Sequence, residues 1–251
     1  MTIDPIHQFK VVELFPMFKV GSYEIAFTNS SAFMLLAVVG LTAFLVGGTA
    51  KRNLVPSRLQ SAAELSYEFV ASTVRSTAGH EGMKFFPFVF SVFMFVLCLN
   101  MFGLVPFAFT VTSHIVITAA LAIMVFLLVL GYGLYRHGLR FFKLFVPKGV
   151  PIYILPMIVA IEILSFISRP ISHSVRLFAN MLAGHITLQV FAGFIILLGT
   201  GLGVIGWIGG IIPFAIVVTL FALETLVAFL QAYVFAILTC IYLNDAIHPG
   251  H

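Results

Sequence analysis

Residues 152–198 read IYILPMIVAIEILSFISRPISHSVRLFANMLAGHITLQVFAGFIILL, a run of mostly apolar residues that carries an arginine, Arg176, deep inside it. A guanidinium does not lose its proton in a protein, and holding a cation at membrane depth costs on the order of 3 kcal/mol or more. Such a charge faces a partner, a water-filled cavity or an ion path rather than lipid. As a continuous helix the stretch would reach roughly 70 Å, more than twice the hydrocarbon thickness, so it must tilt strongly, bend or break.

Composition agrees with a membrane setting. Of 251 residues, 61% are hydrophobic, 28 are Phe and only 9% are charged, and the mean hydropathy is +1.13. No ordinary soluble domain has these values. Apolar runs longer than about 18 residues without period-two alternation exclude a β-barrel and predict an all-α polytopic membrane protein with about five membrane-embedded helices. The formal charge of +4 arises in short loops, so it reports orientation and contact with lipid headgroups, not nucleic acid. Cys98 and Cys240 lie in apolar runs without metal or redox spacing and are expected to pack.

The spans are expected at about Ser31 to Gly48, Phe85 to Phe107, Ile115 to Tyr135, Ile152 to Leu198 and Trp207 to Leu243. Between the first two, Ser57 and Gln60 form a capping-box pattern, and Leu59, Ala62, Ala63, Val70 and Val74 recur at helical spacing until Gly79. Residues 57–79 are therefore predicted to form an amphipathic helix lying on the membrane. Lys51, Arg52, Arg58, Arg75 and Lys84 in one loop, and Arg136, Arg140, Lys143 and Lys148 in another, assign those loops to the inside. Residues 1–30 then form an outer N-terminal segment, and the C-terminus lies inside. No secretory signal is recognisable at the start, and the whole chain is expected to be a single membrane domain.

The last two spans are joined by a glycine-rich turn containing Gly199, Gly201, Gly203, Gly206, Gly209 and Gly210, which predicts a steeply tilted antiparallel hairpin over 150–245. Its polar residues support this reading. Pairing Arg176 with Gln231, and His185 with Glu224, places the midpoint of the hairpin near residue 204 in both cases. At about 100° per residue, Arg169, Ser172, Ala179 and Ala183 share the face of Arg176, whereas His185 points to the opposite side. One helix thus offers two polar environments.

RPISHSVRLFANMLAGH at 169–185, LETLVAFLQAYVF at 223–235 and LNMFGLVPF at 99–107 resemble the subunit-a family of the F-type ATP synthase, the stator of its membrane proton path. The resemblance spans the whole chain, and its Arg-Leu-x-x-Asn-x-x-Ala-Gly core is highly specific. It implies that Arg176 is the essential arginine, with Asn180 and Gln231 beside it. Some members carry Glu at the position of His185 and His at that of Glu224, so this chain has the exchanged version of one ionisable pair. Other members have an acid at Gly103, which leaves the proton inlet here to Asn100, His114, His185 and Glu224.

The partners implied are a rotating c-ring whose subunits each bear a membrane-embedded carboxyl group, peripheral-stalk b-type subunits, the remainder of the synthase and membrane lipids. No cofactor, metal or nucleic acid is implied, and the chain itself would be non-catalytic. At about 4 Å and an effective dielectric near 20, the attraction between Arg176 and a ring carboxylate is about 4 kcal/mol, enough to lower a carboxyl pKa by roughly 3 units. Arg176 would then act as an electrostatic gate that strips the proton and, because it does not titrate, seals two half-channels from each other. Ser172, Asn180 and Gln231 would compete for the ion pair and let it separate. His185 and Glu224 lie toward the outer side and suit proton inlet, and Glu162 lies about 20 Å toward the inside and suits the exit. Arg169 is expected at the headgroups or the outlet, and His173 is a candidate for path lining or for bundle hydrogen bonding.

The expected location is a bacterial inner membrane, with a mitochondrial inner membrane as the alternative. A secondary transporter is disfavoured by the lack of internal repeats and broken short helices. A membrane metalloenzyme is disfavoured because His173, His185 and Glu224 lack close ligand spacing.

Overall fold

In hydrocarbon every backbone N–H and C=O must be paired internally, and the long apolar runs of this chain meet that requirement as helices. A computed structural model describes residues 9–20, 23–50, 55–105, 108–146, 151 and 153–248. Residues 1–8 and the basic Lys51, Arg52 and Lys148 lie outside the described residues, as do Pro106 and Phe107.

Strands β1 (Glu13–Val20) and β2 (Tyr23–Thr28) form an antiparallel pair in the N-terminal segment, with Val20 opposite Tyr23. The sequence reading did not anticipate them. Six helices follow: α1 (Asn29–Thr49), α2 (Arg58–Gly82), α3 (Phe86–Gly103), α4 (Ile115–His137), α5 (Leu155–Gly209) and α6 (Ile211–Ile247). Short 3-10 turns at Met83–Phe85, Val111–Ser113 and Gly138–Phe145 link them. Among the described residues, five stretches are long and apolar enough to cross a membrane, which makes the chain an all-α polytopic membrane protein apart from the N-terminal β-pair.

The amphipathic segment begins where its cap residue dictates. Ser57 is extended and its hydroxyl accepts a hydrogen bond from the Gln60 N–H at 3.3 Å. Only half of the capping box forms, because the Gln60 amide reaches forward to Glu64 at 2.8 Å instead of back to Ser57. Ala63, Val70, Ala71, Val74 and Ala78 are buried along one side of α2. Gly79 breaks the helical path with φ +65°, a left-handed conformation that only glycine adopts freely.

α5 is interrupted once, at Gly203, with φ +59°. The break falls at the midpoint inferred from the polar pairs, and the residues flanking it meet across the turn. Gly199 lies under the Trp207 indole so closely that a Cβ there would come within 2.7 Å of the ring.

The chain divides into two compact units, Met1–Gly40 with Val96–His114 and Leu177–Gln231, and Leu41–Phe95 with Ile115–Arg176 and Ala232–His251. In the first, Leu99, Val111, Leu177, Met181 and Ala228 are buried. The core of the second is aromatic and β-branched. Phe166 packs edge-on against Phe145 at 5.4 Å and Phe141 at 6.3 Å, and Phe141 is received by Gly133, where a Cβ would have no room.

Replacing Ser57 by Ala removes the N-cap acceptor and should cost about 1 kcal/mol of local helix stability. Hydrogen exchange at the first amides of α2 should accelerate about fivefold, and unchanged exchange would show that the cap contributes nothing.

Candidate functional site

The first unit gathers most of the buried polar side chains of the expected inlet. Asn100, Thr110 and Thr112 are fully buried, and Ser113, His185, Glu224 and Gln231 nearly so. α5 and α6 bring His185 and Glu224 together, with Nε2 and Oε1 3.5 Å apart. That separation is too long for a strong hydrogen bond but short enough for a proton to pass after a small movement or through one water. The second neighbour of His185 Nε2 is the Thr110 hydroxyl, at 3.4 Å. Neither carboxylate oxygen of Glu224 has a hydrogen-bond partner among the described residues.

Two glycines make this contact possible. A Cβ at Gly184 would lie 2.7 Å from Glu224 Oε1, so the absence of a side chain there lets α6 seat its carboxyl group against α5. A Cβ at Gly103 would lie 2.9 Å from the Thr110 methyl group and 3.4 Å from His185 Nε2. A side chain at this position would thus meet the same histidine.

Asn100 donates to the Ala228 carbonyl at 3.1 Å, one helical turn beyond Glu224, and its side-chain carbonyl is unpaired among the described residues. Thr112 and Ser113 carry buried hydroxyls with no partner among the described residues. His114 stacks on Phe109 at 4.9 Å, its Nε2 is unpaired, and burial pushes its imidazole below the usual range, which favours the neutral ring. A neutral imidazole both donates and accepts, as a proton relay requires. Unpaired buried polar atoms gathered in one place are the setting in which ordered waters are held.

A cavity of about 780 Å³ opens onto His185 and is lined by Lys10, Asn29, Phe33, Gly103 and Gln189 among others. Asn29 helps shape it by bridging Val12 N–H and the Lys10 carbonyl. Sequence reasoning missed Thr110, Thr112, Ser113 and Gln189. The uncharged turn at Thr110 to His114 carried the signal, since four polar residues in five sit between two spans without a charge to place them in solvent.

Also in this unit, Asn180 donates to Gln231 Oε1 at 3.1 Å, joining α5 to α6 one layer away from the His185 and Glu224 pair.

The second unit holds Glu162, Arg169, Ser172, His173 and Arg176. Arg176 is exposed and makes no hydrogen bond or ion pair with the described residues. In the first unit Ala179, Asn180 and Ala183 are exposed; Ser172, one turn before Arg176 on α5, is also exposed. His173 faces the other way. It is buried, its ring lies 3.8 Å from that of Phe235, and its Nε2 has no hydrogen-bond partner among the described residues. Ser174 reaches Thr118 at 3.3 Å. Arg169, expected at the headgroups or the outlet, is held by Asp245 at 2.8 Å. Glu162 is half-buried.

Because Gly184 is in contact with the Glu224 carboxyl group, Gly184→Ala should overpack this layer and cost about 1 to 3 kcal/mol, whereas Gly131→Ala, with open space around its Cβ, should be neutral or slightly stabilising. Thermal melting of the two variants in nanodiscs separates them, and equal melting temperatures would show that the Gly184 contact is slack.

Comparison with known proteins extends these observations over the full chain. A subunit named ATP synthase subunit a from Rhodopseudomonas palustris strain BisB18 is 64% identical over 249 residues, covering 99% of this chain and all of the relative. Those of Bradyrhizobium diazoefficiens and Nitrobacter winogradskyi are 63% and 65% identical, over 100% and 99% of this chain and the whole of each relative. The family described as ATP synthase A chain matches residues 31–244, from the start of α1 almost to the end of α6, and the chain belongs to that family.

Proposed function

We propose that this protein is the proton-translocating stator subunit of a bacterial rotary ATP synthase. It carries protons through two offset half-channels to and from the carboxyl groups of a c-ring, while ATP chemistry resides in other subunits. Its membrane would be the bacterial inner membrane, with the N-terminus outside and the C-terminus in the cytoplasm. Besides the c-ring, it would contact b-type subunits of the peripheral stalk.

The observation that carries this reading is Arg176 itself, a guanidinium on an open face of an apolar helix with no ion pair or hydrogen bond among the described residues. A cation so placed needs a counter-charge, and none comes from this chain's described residues. A ring of carboxyl groups supplies one at each step of rotation. By helical periodicity Ala179 and Ala183 fall on the side of Arg176, and their small side chains suit close approach of another helix. When a protonated ring carboxyl arrives, Arg176 favours its ionised form and the proton departs. Because arginine does not exchange protons, no proton crosses from one half-path to the other without rotation.

On the inlet side the proposed order is the cavity beside Lys10 and Asn29, then His185 with Thr110, then Glu224. Asn100 and His114 lie in the same unit and help hold the water that joins them. On the outlet side Glu162 accepts the proton, and Ser172 and His173 lie between it and Arg176 along α5. Asn180 and Gln231, already bonded to each other, offer an amide pair that competes for the ring carboxylate and keeps the Arg176 ion pair from becoming permanent.

In the whole complex reconstituted into liposomes, Arg176→Ala should abolish ATP-driven proton uptake while assembly is retained, and should raise passive proton leak under an imposed potential. Normal coupled pumping would sink the mechanism. Glu224→Gln should reduce proton flux and alter its dependence on the pH of the inlet side, and an unchanged flux and profile would remove Glu224 from the path.

A further inference from the structure

Arg169 and Arg176 stand seven positions apart on α5 and meet opposite surroundings within the same unit. The Arg169 guanidinium donates to Asp245 Oδ2 at 2.8 Å. Its Cζ lies 5.0 Å from the centre of the Tyr242 ring and 5.5 Å from that of Phe166. Arg176 has no such clamp. Seven residues of helix amount to about 10 Å of rise and about 20° of rotation, so the two cations occupy one face at neighbouring depths.

We propose that Asp245 is a positioning residue of the proton path. It neutralises Arg169 and, with Tyr242, fixes its direction, so that α5 offers the passing ring carboxyl groups one free cation instead of two. The inference rests on the reading of Arg176 as the gate.

Its physical content is an electrostatic step. A ring carboxylate that has left Arg176 must take up a proton on the inner side, and a second free cation about 10 Å away would hold it ionised. At an effective dielectric near 20 that cation changes the acid constant of the carboxyl group by about tenfold. With Asp245 in contact, Arg169 acts at that distance as a dipole, and most of the effect cancels. The side chains, with 23% and 30% of their surfaces accessible, are only partly screened by solvent. Asp245 and Tyr242 face Arg169 from α6, and α5 adds Glu162, His173 and Arg176. The His173 ring lies 6.1 Å from Tyr242, so the cluster continues toward the gate arginine. The phenol stacked on the cation strengthens the clamp without adding charge.

The test compares Asp245→Asn, Arg169→Gln and the Arg169→Gln/Asp245→Asn double variant in the reconstituted complex, with ATP-driven proton uptake measured against the pH of the nucleotide side. A freed Arg169 favours the ionised ring carboxyl, so Asp245→Asn should slow pumping several-fold and move its pH optimum about one unit toward acid. Arg169→Gln leaves the carboxylate of Asp245 unbalanced and should move the optimum toward alkali. The double variant should return to within about twofold of the unaltered complex. Shifts of opposite sign that cancel in the double variant are not produced by a purely structural role. An unchanged profile in Asp245→Asn, two shifts in the same direction, or a double variant as impaired as Asp245→Asn would overturn the proposal. Should Asp245→Asn fail to assemble, the double variant decides alone, since near-normal pumping supports charge balance and lost pumping refutes it. Arg176→Ala, run alongside, separates the two readings. If it pumps normally the gate falls, whereas if it is silent and Asp245→Asn is unaffected, only the role of Asp245 falls.

Discussion

Charge in a medium of low dielectric is the constraint on which this protein is built. In hydrocarbon a guanidinium without a counter-charge is costly, and no side chain of the described structure relieves Arg176. The rest of α5 can be understood from that cost. Arg176 lies on the exposed side of α5, next to the exposed Ser172. Arg169 illustrates the alternative outcome. The same chemical group, seven positions earlier, is paired with Asp245 and stacked on Tyr242. An ion pair resolved within the chain is a structural element, and one left unresolved is available to a moving partner.

Proximity in the cluster around His185 and Glu224 depends on absent side chains as much as on those present. His185 and Glu224 approach because Gly184 has no Cβ to keep the carboxyl group away, and Thr110 reaches His185 because Gly103 leaves the space. The resulting contacts of 3.4 and 3.5 Å are loose. The proposed proton path would need such slack, because a short, fully satisfied hydrogen bond at every step would trap the proton in one well. The unpaired atoms of Asn100, Thr112, Ser113 and Glu224 have the same property, each having spare capacity for water.

Much of this was legible without coordinates. Helical spans follow from hydropathy because backbone polar groups in lipid leave helices as the main solution, and the break at Gly203 follows from the numbering of the polar pairs. His185 and Glu224 could be matched across the turn for the same reason, since antiparallel helices with equal rise place residues equidistant from the turn at equal depth. The cap at Ser57 was also readable, because it depends on local geometry alone.

By itself, then, the sequence determined that this is a helical membrane protein, where its spans lie, and that one arginine at membrane depth has to be answered by a charge. Those properties depend on local spacing and on the cost of polarity in lipid. Tertiary structure alone decided that Asp245 clamps Arg169, that Thr110 touches His185 and that β1 and β2 pair. Each of these depends on where side chains from distant or competing positions meet, and helical periodicity specifies a direction around an axis but not the neighbour found there.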